Sequence, residues 1–176
     1  MRPHVTTLRR PGPACATRRG FLAIAAASAI VLAVAPRRAR AKPAIMGAPE
    51  AFEAARRGEI VLIDIRRPEE WAETGIAEGA VALDMTAPDF VKRLVEIRRA
   101  FPKRPIAMIC RTGNRSNYVT TTLDRQGFPR LIDVSEGMVG GRNGPGWLKR
   151  GLPVYAGTPA NVKERLQTLM RDAGSE

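Results

Sequence analysis

Pro105-Ile106-Ala107-Met108-Ile109-Cys110-Arg111-Thr112-Gly113-Asn114-Arg115-Ser116-Asn117 runs from an apolar stretch through a short polar turn into a helical pattern. Apolar residues without alternation suit a strand covered on both faces. The segment from about residue 114 to 126 reads as a helix, stopped by Gly127. A strand that feeds a helix through a tight turn belongs to a parallel sheet. It also puts Cys110 at the carboxyl end of a strand, where ligands collect in such sheets.

The flanking sequence repeats the same grammar. Ile60-Val61-Leu62-Ile63-Asp64-Ile65, Ala80-Val81-Ala82-Leu83 and Leu131-Ile132-Asp133-Val134 are three more short apolar runs. Between them lie helical segments at 49–57, from Pro68 to about Trp71, and after Thr86, Pro88 and Asp89, where Phe90, Val91, Leu94 and Val95 share a face. Gly75 and Gly79 mark turns. After a Gly-rich segment at 137–146, Val162, Leu166, Leu169 and Met170 form the apolar stripe of a final helix. The alternation predicts an α/β domain, a parallel sheet with helices on both faces.

Charge and counts narrow the chemistry. The formal charge is +12, but residues 1–41 hold eight Arg and no acid, and the rest holds the other 21 of 29 Lys+Arg against all 17 Asp+Glu. That remainder is an ordinary solubility charge without a basic stripe, so nucleic acid is not an expected partner. The single His is His4, and the two Cys are Cys15 and Cys110. A chain starting after residue 41 would therefore have one Cys and no His. This excludes an internal disulfide, Cys/His zinc sites, Ser-His-Asp triads and Cys-His proteases in that part. No metal or other cofactor is expected, and the absence of a heptad pattern predicts a monomer.

Residues 1–41 read as an address. Thr17-Arg18-Arg19-Gly20-Phe21-Leu22 precedes an Ala-rich apolar run at 21–35, and Ala39-Arg40-Ala41 supplies small residues for cleavage. The run is shorter than the roughly 20 residues a membrane span needs. The paired arginines resemble the twin-arginine export signal. The expected product starts at Lys42, is periplasmic, and meets the membrane only during export. Residues 42–176 would form the folded domain.

At the end of a strand, a lone Cys suits a packed small hydrophobe. The residues after Cys110 point elsewhere. Gly113 permits a tight loop whose amides can form an anion nest, the next helix adds the positive end of its dipole, and Arg111 and Arg115 add charge. All of these favour thiolate over thiol, and a preformed thiolate needs no histidine.

Cys110-Arg111-Thr112-Gly113-Asn114-Arg115 resembles the six-residue active loop of the rhodanese family, in its Cys-Arg-x-Gly-x-Arg form. Asp64-Ile65-Arg66 with Pro68-Glu69-Glu70-Trp71 resembles the amino-terminal family motif. Gly137-Met138, Gly140-Gly141, Gly146-Trp147 and Gly151-Leu152-Pro153-Val154 resemble the carboxyl-terminal one. The three matches lie in order over residues 45–154 or so. Thr74-Gly75-Ile76 departs from the more usual Gly-His-Ile. The resemblance implies a rhodanese-like fold and sulfur transfer from thiosulfate or a related donor to cyanide or a thiol, through a Cys110 persulfide. The acceptor could also be a protein thiol. The loop residues Arg111, Thr112, Gly113, Asn114 and Arg115 would bind the donor, with the two arginines facing its negative charge.

Asp64 and Arg66 are expected to pair as structural support for the loop, Trp71 to lie in the core, and Ser116 and Thr112 to hydrogen-bond within the loop or cap the helix. Two other readings share these residues. One is a non-catalytic carrier or partner-binding module that hands the persulfide to another protein. The other is a Cys-dependent phosphatase or arsenate reductase, whose Cys-x5-Arg pattern would need Arg at 116, where this chain has Ser116.

Overall fold

Strand β5 (Ile106–Ile109) is buried along its whole length and forms the middle of the sheet. A computed structural model describes residues 42–175; the export signal read from residues 1–41 lies outside the described residues. Beside β5 run β2 (Val61–Asp64) and β6 (Leu131–Val134), then β4 (Ala80–Ala82) at one edge and β1 (Ala44–Met46) at the other. The order β1-β6-β5-β2-β4 is parallel throughout.

Because strand residues alternate in direction, the sheet feeds two apolar layers. Leu62, Ala82, Ala107, Ile109, Ile132 and Val134 pack on one side with α1 (Ala48–Arg56), Trp71 of α2 (Pro68–Thr74) and Trp147 of α5 (Gly146–Lys149). Ile63, Val81, Met108, Cys110 and Leu131 pack on the other with α3 (Phe90–Ala100) and α4 (Asn114–Arg125). Each fully buried Ile or Leu contributes about 1.5–3 kcal/mol to this burial. Helices therefore cover both faces.

The structure adds what sequence periodicity did not show. A small antiparallel pair, β3 (Ile76–Ala77) with β7 (Val154–Tyr155), ties the carboxyl-terminal segment to the turn after α2. Tyr155 Oη donates to the Ala80 carbonyl at 2.9 Å. The helix expected from Thr86 begins only at Phe90, because Asp84 and the following residues form a turn in which Thr86 N and Oγ1 both donate to Asp84 Oδ1. The last helix, α6 (Pro159–Asp172), packs Val162, Leu166 and Leu169 against the domain, while Met170 is exposed. Trp147, which sequence left between core and pocket rim, is fully buried, with Nε1 donating to the Pro153 carbonyl.

Candidate active site

The chain leaves β5 at Ile109 and turns at once, so Cys110 stands at the carboxyl end of the central strand beside Asp64, the in-register partner of Ile109 on β2. Gly113 makes the turn possible. Its φ of +88° is left-handed, and a Cβ there would collide with the Ser135 carbonyl. With Gly113 as the residue before α4, its amide donates to Cys110 Sγ at 3.2 Å, at the positive end of the helix. The loop is braced from behind: Met138 N donates to the Cys110 carbonyl and Val139 N to the Arg111 carbonyl. This is the physical role of the Gly-rich segment after β6.

Cys110 itself is fully buried. Its thiol donates to Ser116 Oγ at 3.5 Å, and Ser116 Oγ donates to the Gly113 carbonyl at 3.1 Å. Ser116 thus hydrogen-bonds within the loop. Thr112 is half-buried in the loop, while Arg111 and Asn114 are exposed at its rim.

Asp64 and Arg66 come together as expected from their spacing. Both are buried, at 0% and 1% exposure, with Arg66 Nη2 2.7 Å from Asp64 Oδ2 and Nε 3.0 Å from both carboxylate oxygens. The rest of the guanidinium is spent on Thr74 Oγ1 and the carbonyls of Glu70 and Gly75. Thr74, which departs from the usual motif, is therefore an acceptor for the buried arginine.

Arg115 has a partner that the sequence reading did not assign. Its Nη1 and Nη2 donate to the two oxygens of Glu70 at 2.7 and 2.6 Å, joining α4 to α2. Expected to face the donor's charge, Arg115 is instead held in a two-pronged ion pair in this structure. The pairing holds the Glu70 carboxyl below its ordinary range and raises Arg115, with Cys110 and Asp64 adding smaller attractions to the guanidinium. Glu70 also accepts from the Arg67 amide at the start of α2, so one carboxylate serves a helix cap and the loop. Its place in the Pro-Glu-Glu-Trp motif was the available signal.

Asp133 is a second residue that sequence reading passed over. It sits in buried β6 beneath α4, where Asn117 Nδ2 donates to its Oδ2 at 3.3 Å. Burial pushes its carboxyl up, with the Ser116 and Asn117 side chains acting in the opposite sense.

The comparisons with known proteins agree with this geometry. Residues 48–143, over half of the chain, match the rhodanese-like domain. The chain belongs to the rhodanese family. A sulfurtransferase of Allochromatium vinosum is 32% identical over 100 residues, which are 56% of this chain and 80% of the relative. The thiosulfate sulfurtransferase of Pseudomonas aeruginosa has a similar fold, with a TM-score of 0.52 and 18% identity, over 74% of this chain and 25% of that one. The polysulfide-sulfur transferase homodimer of Wolinella succinogenes matches with a TM-score of 0.50 and 24% identity, over 66% of this chain and 80% of that one. These two structural likenesses speak for the fold. Family membership and the Allochromatium relative make the protein a rhodanese-like sulfurtransferase.

Proposed function

We propose that the protein moves a sulfane sulfur from thiosulfate or a related anionic donor to cyanide or a thiol through a persulfide on Cys110. In the first half-reaction Sγ attacks the outer sulfur, the donor's S–S bond breaks, and sulfite leaves with the bonding pair. In the second, the acceptor attacks the outer sulfur and the pair returns to Sγ. The observation that carries this reading is the Gly113 amide on Sγ, at the start of α4 and within a loop braced by Met138 and Val139. A hydrogen-bond donor and a helix dipole at that point stabilise an anionic sulfur before and after transfer. Arg111, at the exposed rim, meets the anionic donor. Thr112, Gly113 and Asn114 shape the backbone around it, and Arg115, clasped by Glu70, fixes the loop and adds positive potential.

The Glu70 pairing also weighs against phosphate chemistry. A phosphatase would need that guanidinium for its substrate, and here it is engaged by both carboxylate oxygens. Mass spectrometry tests the reading. Thiosulfate should add the mass of one sulfur at Cys110, cyanide should remove it, and Cys110→Ser should do neither. A Cys110 that gains no sulfur while the protein hydrolyses a phosphate ester would replace this function with the phosphatase one. Rapid delivery to a co-purifying protein, with slow turnover on cyanide, would favour the carrier reading.

The reaction is placed in the periplasm, after cleavage following Ala41. Arg18-Arg19, the apolar run at 21–35 and Ala39-Arg40-Ala41 support this. Changing both Arg18 and Arg19 to Lys should block export. Undiminished export of that variant would assign the general secretory route.

A further inference from the structure

The charges around Cys110 are unevenly paired. Asp64 and Arg66 are both buried and neutralise each other. Arg111 is exposed and makes no ion pair among the described residues. Arg142 is exposed in turn, on the wall of an open cavity that Thr112, Gly113 and the buried Asp133 also line. Arg115 differs from both of these arginines. It stands in the first turn of α4, two residues after the Gly113 amide that meets Sγ, and is only 31% exposed. A cation partly shielded from water acts on an anion more strongly than one at an exposed rim. Yet its Nη1 and Nη2 both donate to Glu70, at 2.7 and 2.6 Å. Glu70 is 17% exposed and is also held from its own helix, because Oε2 accepts from the Arg67 amide at the start of α2. The one half-buried cation of the loop is therefore neutralised by a carboxylate that is itself fixed in place.

We propose that Glu70 selects the charge of the sulfur donor, so that the loop takes sulfane donors with one negative charge, thiosulfonates and organic persulfides among them, ahead of dianions such as thiosulfate. This rests on Cys110 being the sulfur-carrying nucleophile. The reason lies in the charges that must meet. The attacking sulfur is a thiolate, so a monoanionic donor brings two negative charges together and thiosulfate brings three. The Gly113 amide and the start of α4 offer partial positive charge, and Arg111 at the rim is screened by water. A free Arg115 would answer the third charge, and paired with Glu70 it does not. The chemical step is the same for every donor. Sγ attacks the outer sulfur, the S–S bond breaks, and its electron pair leaves on sulfinate, on a thiolate or, from thiosulfate, on sulfite. The outer sulfur stays on Cys110 as an anionic persulfide, so charge is conserved and no further reactant is needed.

Methanethiosulfonate and thiosulfate make a matched pair of probes, since a methyl group in the first replaces one charged oxygen of the second. The rate at which each loads sulfur on Cys110, read by intact mass of the purified full chain, gives a donor ratio. In Glu70→Gln that ratio should move toward thiosulfate at least about fivefold, and it should move less at high salt. Glu70→Asp, which keeps the charge, should stay within about twofold of the wild-type ratio. A loop merely loosened by the substitution would slow both donors alike and leave the ratio where it was. With both donors loading, an unchanged ratio, or one that moves toward methanethiosulfonate, would overturn the role of Glu70 and leave the persulfide reading standing. A second measurement needs no sulfur transfer. Sulfate and methanesulfonate differ by the same one charge, and each is tested for protecting Cys110 from iodoacetamide. Sulfate should protect Glu70→Gln more than the wild type, while methanesulfonate should protect the two proteins alike. If that result appears while neither donor loads Cys110, the charge selection stands and the persulfide reading falls. Equal protection by sulfate in both proteins would overturn the charge selection.

Discussion

Replacing Arg66 with Met should destabilise the domain by about 3–5 kcal/mol, the usual cost of removing one member of a buried ion pair. The magnitude follows from the surroundings. Asp64 is fully buried, and Arg66 Nε and Nη2 are its charged partners. Met fills a similar volume but leaves that carboxylate uncompensated. It also deprives Thr74 Oγ1 and the carbonyls of Glu70 and Gly75 of their donors. Those three groups are half-buried, so water can replace part of what they lose. In the double variant Asp64→Asn with Arg66→Met, the buried charge disappears, and the neutral amide at position 64 and these acceptors are left short of partners, at a smaller cost of about 1–3 kcal/mol. Guanidinium denaturation at neutral pH measures both variants, and the single one should also lower Tm by roughly 10–20 °C. If Arg66→Met costs less than about 1 kcal/mol, or the double variant is as unstable as the single one, the pair is not what holds this corner together.

Gly113→Ala should cost at least about 2 kcal/mol, since a left-handed φ and a collision with Ser135 act together; denaturant midpoints and sulfur loading at Cys110 should both fall. Glu70→Gln should cost about 1 kcal/mol, a figure discounted because Arg115 is 31% exposed. The sign of the pH dependence is fixed by the lowered Glu70 carboxyl: its stabilisation is present above the ordinary carboxyl value of 4.5 and is lost as pH falls below it. The stability gap between wild type and Glu70→Gln should therefore close in acid, as urea titrations at neutral pH and at about pH 3 would show.

Strands β2, β4, β5 and β6, the helices between them and the place of Cys110 were legible in the sequence because their signals are local. Apolar runs bounded by Gly and Pro, and a Cys followed by Arg and Gly at a strand end, carry their meaning within a dozen residues. β1 and the β3–β7 pair were not legible. Strands of two or three residues have no periodicity to read, and they form only because the completed domain brings their edges together. The partnerships of the site divide in the same way. Asp64 and Arg66 are two apart on one strand end, so their pairing could be expected from spacing. Glu70 and Arg115 are 45 residues apart, and they meet because β2 and β5 are neighbours, each feeding its helix at the same end of the sheet. Asp133 reads in sequence as a polar interruption in a strand. Its meeting with Asn117 follows from α4 packing on β6, since a polar group has a role only once the fold decides what lies across from it.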